Sequence, residues 1–329
     1  MTLRTAPPRL SDIHAPVRER LDAVVDEIRR IVVSDFAPVD EVNHYLLKLR
    51  GKLFRPGLVL LCDELGGGSH REAETLAAII ELVHLATLVH DDAVDHSVLR
   101  RGMPTVNALW SHQVAIIMGD YLYSRSITEI TRLGQLEPIR VIAAAANAMT
   151  VGEMRQLVSH DALHFSEDDY YRLIDSKTAS LMAAACEMGA LTGAPAYRGQ
   201  VARYGRWLGH AFQIADDLLD YTADAEVTGK PSGLDLREHK VTLPLIHALP
   251  RLGPAERAEV EALFRDPEPA DEAIHEVVEL VKAHGGLDYA REKAGEAAQW
   301  AHDALEGLPE GPALESLRES ITYAVERRK

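Results

Sequence analysis

The chain carries the pattern Asp-Asp-x-x-Asp twice, at Asp91-Asp92-Ala93-Val94-Asp95 and at Asp216-Asp217-Leu218-Leu219-Asp220. On a helix the first and last Asp of such a run stack on one face, about one turn apart, while the middle one points roughly 100° away. Three carboxylates gathered at a helix end repel one another. At a C-terminus the helix dipole adds to that cost. The first run closes the apolar stretch 82–89, which predicts a C-terminal position. Such a cluster is tolerated best when cations arrive with a ligand. Magnesium suits the role, because it takes oxygen ligands and is commonly shared between one or two carboxylates and substrate phosphates. Two runs on facing helices would hold a diphosphate between them through bridging metals, which turns diphosphate into a good leaving group. One run alone reads equally well as a solvated acidic helix end. The second, ending another apolar helix, argues against that.

The charge balance sharpens the reading. With 51 Asp and Glu against 35 Lys and Arg, the net charge is -16. This excludes a nucleic-acid binder, which needs clustered cations to displace counterions. It is also a poor match for an anionic membrane surface. Local basic groups therefore stand out. Lys52, Arg55, Arg100 and Arg101 have the chemistry to cradle phosphate oxygens, Arg with forked hydrogen bonds and Lys as a point charge. Each taken singly is an ordinary solvated charge. Their grouping around the first aspartate run changes that. His84, His90 and His96 raise zinc as an alternative, but a carboxylate cage around phosphate favours magnesium, and no Cys lies near. Glu153 and Gln156 share a helix face by spacing, which also fits polar packing between helices.

The elements that must position these groups are helical. Hydrophobic residues make up 47% and aromatics only 5%, so the apolar content comes from Ala and Leu, with no strand-like runs. Residues 17–33 carry an amphipathic stripe, and 73–92 are apolar nearly all round, as in a buried helix. Similar buried helices are predicted at 114–132, 139–158, 170–188 and 201–221, separated by Gly- and Pro-containing breaks at 66–68, 102–104, 134–138, 193–195 and 229–233. Residues 254–329 read as more charged, amphipathic helices packed around the outside. No Ser/Gly linker divides the chain, so residues 1–329 are read as one helical domain with a frayed start over 1–13. Cys62 and Cys186 lack metal-ligand spacing and read as buried thiols of a reducing compartment. No signal-peptide core and no uninterrupted apolar stretch of membrane-spanning length is visible, so a cytoplasmic protein without a transmembrane segment is expected.

From about 50 to 244 the chain resembles the trans-isoprenyl diphosphate synthases. The segment 81–90 leads into the first aspartate run as in that family, and Arg100-Arg101-Gly102 follows at the family's distance. Gly119-Asp120, Gly152-Glu153-Met154-Arg155-Gln156, Lys177-Thr178, Phe212-Gln213, Gly229-Lys230 and Lys240-Val241-Thr242-Leu243-Pro244 come in the same order. The resemblance implies an all-α fold, the large helical bundle of the isoprenoid synthases. It implies that Asp91, Asp92, Asp95, Asp216 and Asp220 bind several magnesium ions around an allylic diphosphate, with Asp217 acting through water or behind them. Arg100, Lys177, Lys230 and Lys240 would contact that diphosphate. Gly51, Lys52, Arg55, His84 and Arg101 would bind isopentenyl diphosphate. Gln213 and Thr178 would lie beside the allylic carbon, where they and the Lys177 carbonyl stabilise a cation. A homodimer is implied as well.

Some positions depart from the family. Arg50 precedes Gly51 where a second glycine is frequent, and Leu53 and Met103 stand where basic residues are common. These touch the detail of isopentenyl diphosphate binding. If the growing tail runs back along the helix before Asp91, then Thr87, Ala86 and Val83 control its length, and none is a large plug. From Asp91 to Ala78 is about 20 Å of helix, room for several isoprene units. A product longer than farnesyl diphosphate is therefore expected. A floor supplied by Tyr121, Tyr123 or Met149 would instead give geranylgeranyl or farnesyl diphosphate. A class I terpene cyclase, a squalene-type synthase and a non-catalytic subunit of a heteromeric synthase share the fold. Two complete aspartate runs together with Lys52 and Arg55 argue against the cyclase, and the retention of both runs argues against the non-catalytic subunit.

Overall fold

In the computed structural model the described residues are 7–48, 51–158, 162–222 and 233–326. The chain opens with α1 (Leu10–Ile13), α2 (Arg18–Val32), α3 (Ala37–Lys48), α4 (Phe54–Glu64) and α5 (Arg71–Val94). A small hairpin of β1 (Leu99–Arg100) and β2 (Met103–Pro104) follows, then α6 (Val106–Leu109), α7 (His112–Arg132), α8 (Leu136–Val158) and α9 (Glu167–Ile174). A π-helical turn, Asp175–Ala179, joins α9 to α10 (Ser180–Gly193). After α11 (Arg198–Thr222) come the short helices α12 (Leu234–Arg237) and α13 (Leu243–Ala248). The chain closes with α14 (Pro254–Arg265), α15 (Asp271–Ala283), α16 (Gly286–Ala304) and α17 (Pro312–Glu326). The fold is all-α, as the composition and periodicity predict.

The centre is α5, which packs against α2, α4, α7 and α10. Its Leu76, Ile79, Ile80, Leu82 and Val83 are at most 1% exposed. Burying a side chain of that size stabilises by roughly 1.5–3 kcal/mol, so this helix is fixed by packing. By length and composition α5 would also be long and apolar enough to cross a membrane. The sequence reading, which looks for an uninterrupted apolar stretch, does not single it out. Here it is the core helix of the bundle. The second aspartate run lies at the end of α11, and α10 touches both α5 and α11.

Three expectations change. The start is not frayed to residue 13, because Leu10–Ile13 is helical and packs on α17, with Ile13 only 1% exposed. The helix predicted over 170–188 is interrupted by the π turn, an irregularity that the apolar periodicity does not register. The C-terminal helices are not all peripheral. In α16, Ala290, Ala294, Ala297 and Ala301 form a buried stripe of small residues, which lets it lie closely along α11. Cys62 and Cys186 are both free and buried. They meet across the α4–α10 contact, where burial, with Cys186 alongside, pushes the Cys62 thiol up.

That contact is tight because α10 carries glycines. A Cβ on Gly189 would stand 2.0 Å from the Val59 carbonyl oxygen, and one on Gly193 would stand 1.8 Å from that of Asp63. Gly199 on α11 has nothing within 4 Å of such a Cβ. Thermal melts should therefore separate the two sites. Gly189→Ala should lower Tm by about 3 °C or more, as overpacking of a rigid core does, and Gly199→Ala should leave it unchanged or raise it slightly.

Candidate active site

The first aspartate run ends α5 as predicted. Asp91 and Asp92 lie in its last turn and Asp95 is the C-cap, its N–H donating to the Asp91 carbonyl at 2.8 Å. Asp95 is exposed, Asp91 half-buried and Asp92 only 6% exposed. The buried one has a dedicated partner. Arg100 donates to both Asp92 oxygens, with Nε 2.8 Å from each and Nη2 2.8 Å from Oδ1. Arg100 is held there by the hairpin, where it pairs with Met103 across a two-residue loop of Arg101 and Gly102. Both loop residues have positive φ, 52° and 76°. Two-residue hairpins favour that turn, and Gly suits the second position. A non-glycine residue in the left-handed region costs about 1–2 kcal/mol. Arg101 bears that cost in exchange for a side chain aimed back at Gly51.

Around Gly51 the residues assigned to isopentenyl diphosphate converge. A Cβ there would meet Glu81 Oε1 at 3.2 Å and Arg101 Nη1 at 3.3 Å. Arg55, on the first turn of α4, is half-buried, and its buried Nε has no hydrogen-bond partner. A buried cationic donor without an acceptor is the complement of an anionic ligand. Burial pulls the Arg55 pKa down, opposed by Glu81, and pushes Glu81 up, opposed by Arg55 and Arg101. His84, one turn after Glu81, is held well below its ordinary pKa by burial and by the neighbouring Arg55, Arg101 and Arg100. It is a neutral hydrogen-bonding group at pH 7. Lys52 Nζ lies 3.4 Å from the Tyr323 hydroxyl of α17.

Across the cleft, the π turn presents Lys177 and Thr178. Gly152 permits this, because a Cβ there would come 2.6 Å from Ser176 Cβ. Lys177 Nζ reaches Glu153 at 2.5 Å and donates to Gln156 Oε1 at 3.0 Å, so both members of the spaced pair on α8 face one ammonium. Thr178 donates to Gln213 Oε1 at 2.7 Å, Gln213 Nε2 donates to Asp217 Oδ1 at 2.8 Å, and the Tyr170 hydroxyl donates to Asp217 Oδ2 at 2.6 Å. Asp220 accepts the backbone N–H groups of Leu234 and Asp235 at 3.1 and 3.0 Å. Asp216 is exposed. Lys240 donates to Glu238 at 2.6 Å; burial disfavours its charge, but Glu238, Asp95 and Asp235 outweigh that and raise its pKa.

Unrelieved negative charge marks the cleft. Burial pushes Asp91 up to about 6, with Glu153 and Asp95 adding to it and Lys177 opposing. Burial takes Asp217 to about 7 against its two hydrogen bonds, and Asp235 to about 8 with Asp217 and Asp220 adding. Carboxylates forced this far toward protonation are the groups a bound divalent cation would relieve, and an all-oxygen donor set suits magnesium. Among the described residues, no three His, Cys, Asp or Glu converge as a complete metal cage. Phosphate oxygens would have to complete the coordination. The histidines offer no zinc site: His90 faces Asp120 at 3.3 Å, His96 pairs with His112 at 2.7 Å, and His84 lies apart among arginines.

Nearly all the residues singled out by sequence are thus gathered at one cleft. Lys230 lies outside the described residues. Three participants escaped sequence reading: Glu81, Tyr170 and Asp235. Asp235 follows Gly233 on α12 and sits against both Asp217 and Asp220. Of the candidate length-controlling residues, Val83 and Ala86 are 1% and 2% exposed and Thr87 is half-buried. Tyr121 is tied by its hydroxyl to the carbonyls of Val32 and Val33, at 3.1 and 3.2 Å.

Comparison with known proteins gives a consistent result. The sequence model of the polyprenyl synthetase family matches residues 37–281. The chain is 38% identical over 296 residues to octaprenyl diphosphate synthase of Escherichia coli K12, covering 89% of this chain and 91% of that protein. It is 37% identical over 318 residues to the geranyl-diphosphate-specific all-trans-nonaprenyl-diphosphate synthase of Rhodobacter capsulatus, covering 96% and 97%. The crystal structure of polyprenyl synthase from Caulobacter crescentus CB15, complexed with calcium and isoprenyl diphosphate, superposes with a TM-score of 0.92 at 33% identity, covering 99% of this chain and all of that one.

The electrostatics predict the pH dependence of the metal-free protein. Asp217 and Asp235 have folded pKa values of about 7 and 8 against an ordinary 3.8, so folding takes up protons on them. Their stabilisation is complete below the ordinary value and is lost as pH rises through 7 and 8. The depressed histidines, His14, His84, His247 and His302, act in the opposite sense only below about 6.5. Tm of the metal-free protein should therefore fall between pH 6.5 and 8.5, and Asp235→Asn should flatten that slope. A Tm that rises over the same interval would contradict the assignment.

Proposed function

The chain belongs to the polyprenyl synthetase family, and we propose on that footing that it condenses isopentenyl diphosphate with an allylic diphosphate, head to tail and in trans, with magnesium as its metal. The product is a polyprenyl diphosphate longer than farnesyl. The observation that carries this reading is one cleft. Lys177 and Arg100 act on Asp91, Lys240 lies between Asp95 and Asp235, and His84 is flanked by Arg55, Arg101 and Arg100, so the two acidic helix ends, the Lys177–Thr178 turn and the Arg55–Arg101 pocket adjoin one another. The relative complexed with calcium and isoprenyl diphosphate supports a divalent metal beside a diphosphate.

The residues divide the work by chemistry. Asp91, Asp95 and Asp216, with Asp92 and Asp220 behind them, would hold the magnesium ions. When bound, these neutralise the allylic diphosphate so that it can leave with the electron pair of the carbon–oxygen bond. Lys177 and Lys240 present ammonium groups to the same phosphates, and Arg100 keeps Asp92 in place. Thr178 and Gln213 face the carbon from which diphosphate departs and stabilise the allylic cation. Arg55, Arg101, Lys52 and His84 hold isopentenyl diphosphate without metal, and Gly51 leaves room for its phosphates. Its double bond attacks the cation, a carbon–carbon bond forms, and a proton is lost to the released diphosphate. No nucleophilic side chain is needed.

The tail lies among the apolar helices along α5. The small side chain of Ala86 and the aliphatic Val83 support a long product. A homodimer is supported by an apolar face. Ile117, one turn before Tyr121, and Val33, whose carbonyl Tyr121 binds, are each 62% exposed, as is Phe36. The cytoplasm is the proposed location.

A product assay tests the reaction. Purified protein, magnesium and isopentenyl diphosphate, given geranyl or farnesyl diphosphate, should yield alcohols beyond geranylgeraniol after dephosphorylation. Without added metal the yield should collapse. No condensation with any allylic primer would overturn the reading. Ala86→Phe should shorten the dominant product to farnesyl or geranylgeranyl length while keeping initial turnover within a few-fold of the parent.

A further inference from the structure

The π turn and α11 are joined by a chain of hydrogen bonds with a defined direction. Asp217 is 6% exposed and receives two donors, Gln213 Nε2 at 2.8 Å on Oδ1 and the Tyr170 hydroxyl at 2.6 Å on Oδ2. With its amide nitrogen committed to Asp217, Gln213 turns its carbonyl oxygen to Thr178, and the only hydroxyl hydrogen of Thr178 is donated there at 2.7 Å. A hydroxyl has one donor and two acceptor lone pairs. The lone pairs of Thr178 are thereby left for whatever stands in the cleft. Were the amide reversed, Gln213 would donate to Thr178 and the Thr178 hydrogen would point at the developing cation. The sense of the chain therefore decides whether this hydroxyl attracts or repels positive charge.

Tyr170 begins the chain. It is 1% exposed, packed among Ile174, Ile214 and Leu243, and its position on α9 is fixed by that packing. Its hydroxyl fixes the plane of the Asp217 carboxylate so that Oδ1 faces Gln213. We infer that Tyr170 is a positioning residue for cation formation: acting through Asp217 and Gln213, it orients the Thr178 hydroxyl with its lone pairs toward the allylic carbon. Tyr170 is itself buried behind Asp217 and acts only through it. The inference rests on the proposed condensation and adds to it a residue that the aspartate runs do not reveal.

The test is single-turnover condensation with an allylic diphosphate and with its 2-fluoro analogue, whose cation forms less readily. Parent, Tyr170→Phe, Thr178→Val and the double variant are compared. Tyr170→Phe keeps the ring in the core. It should slow the chemical step about ten-fold, the size of one charge-assisted hydrogen bond. KM for both substrates should stay within about two-fold, and the loss should be larger for the fluorinated substrate. The double variant should be no slower than Thr178→Val, because the two residues act as one unit. Should Tyr170→Phe melt below the assay temperature, all four proteins are compared about 10 °C below its Tm, where the same pattern must appear. A parent rate in these variants, or losses that multiply with that of Thr178→Val, would overturn the inference while leaving the condensation reading intact. A parent protein that condenses nothing would sink that reading instead.

Discussion

The active site depends on two clusters of carboxylates, each pushed toward protonation by burial and by repulsion within the cluster. A chain of net charge -16 brings Asp91, Asp92 and Asp95 to one side of Lys240, and Asp216, Asp217, Asp220 and Asp235 to the other. Partial burial makes that repulsion harder to screen. The fold answers it one carboxylate at a time. Arg100 takes Asp92, Tyr170 and Gln213 take Asp217, and two backbone N–H groups take Asp220. Asp91 is left half-buried and pushed toward protonation. The remaining cost is what the incoming cations and substrate would remove, so the site is poised to bind them together.

The supporting cations are held by the scaffold ahead of the substrate. A rigid hairpin with a strained Arg101 aims two arginines in different directions, one at Asp92 and one at the pocket beside Gly51. A π turn widens the α9–α10 connection so that Lys177 and Thr178 leave the regular helical face and meet α8 and α11. Glycines allow these approaches. Gly119 passes so close to His90 that a Cβ would stand 2.3 Å from its ring, and Gly152 admits Ser176. Several motifs that carry the family resemblance are thus positions where backbones touch, beside the residues that do the chemistry.

Much of this was legible in the sequence. The aspartate runs, their place at the ends of apolar helices, and the basic residues near them all follow from periodicity and charge, which are local. What was missed depends on contacts between distant segments. Tyr170 gains its meaning only from Asp217, 47 residues away. Glu81 looks like part of an apolar helix until Arg55 and Arg101 close around it. Asp235 sits in a short helix whose N-terminal amides bind Asp220, a pairing no spacing rule supplies. The π turn keeps the apolar pattern of an ordinary helix. The ordering of Leu10–Ile13 comes from packing against the far end of the chain.

The central claim is that the cleft is an incomplete metal site that diphosphate completes. The direct measurement is a titration of magnesium into the protein, followed calorimetrically, with and without saturating inorganic diphosphate. The account predicts weak binding to the protein alone and affinity at least ten-fold tighter once diphosphate is present. Tight, stoichiometric magnesium binding that diphosphate does not improve would contradict it.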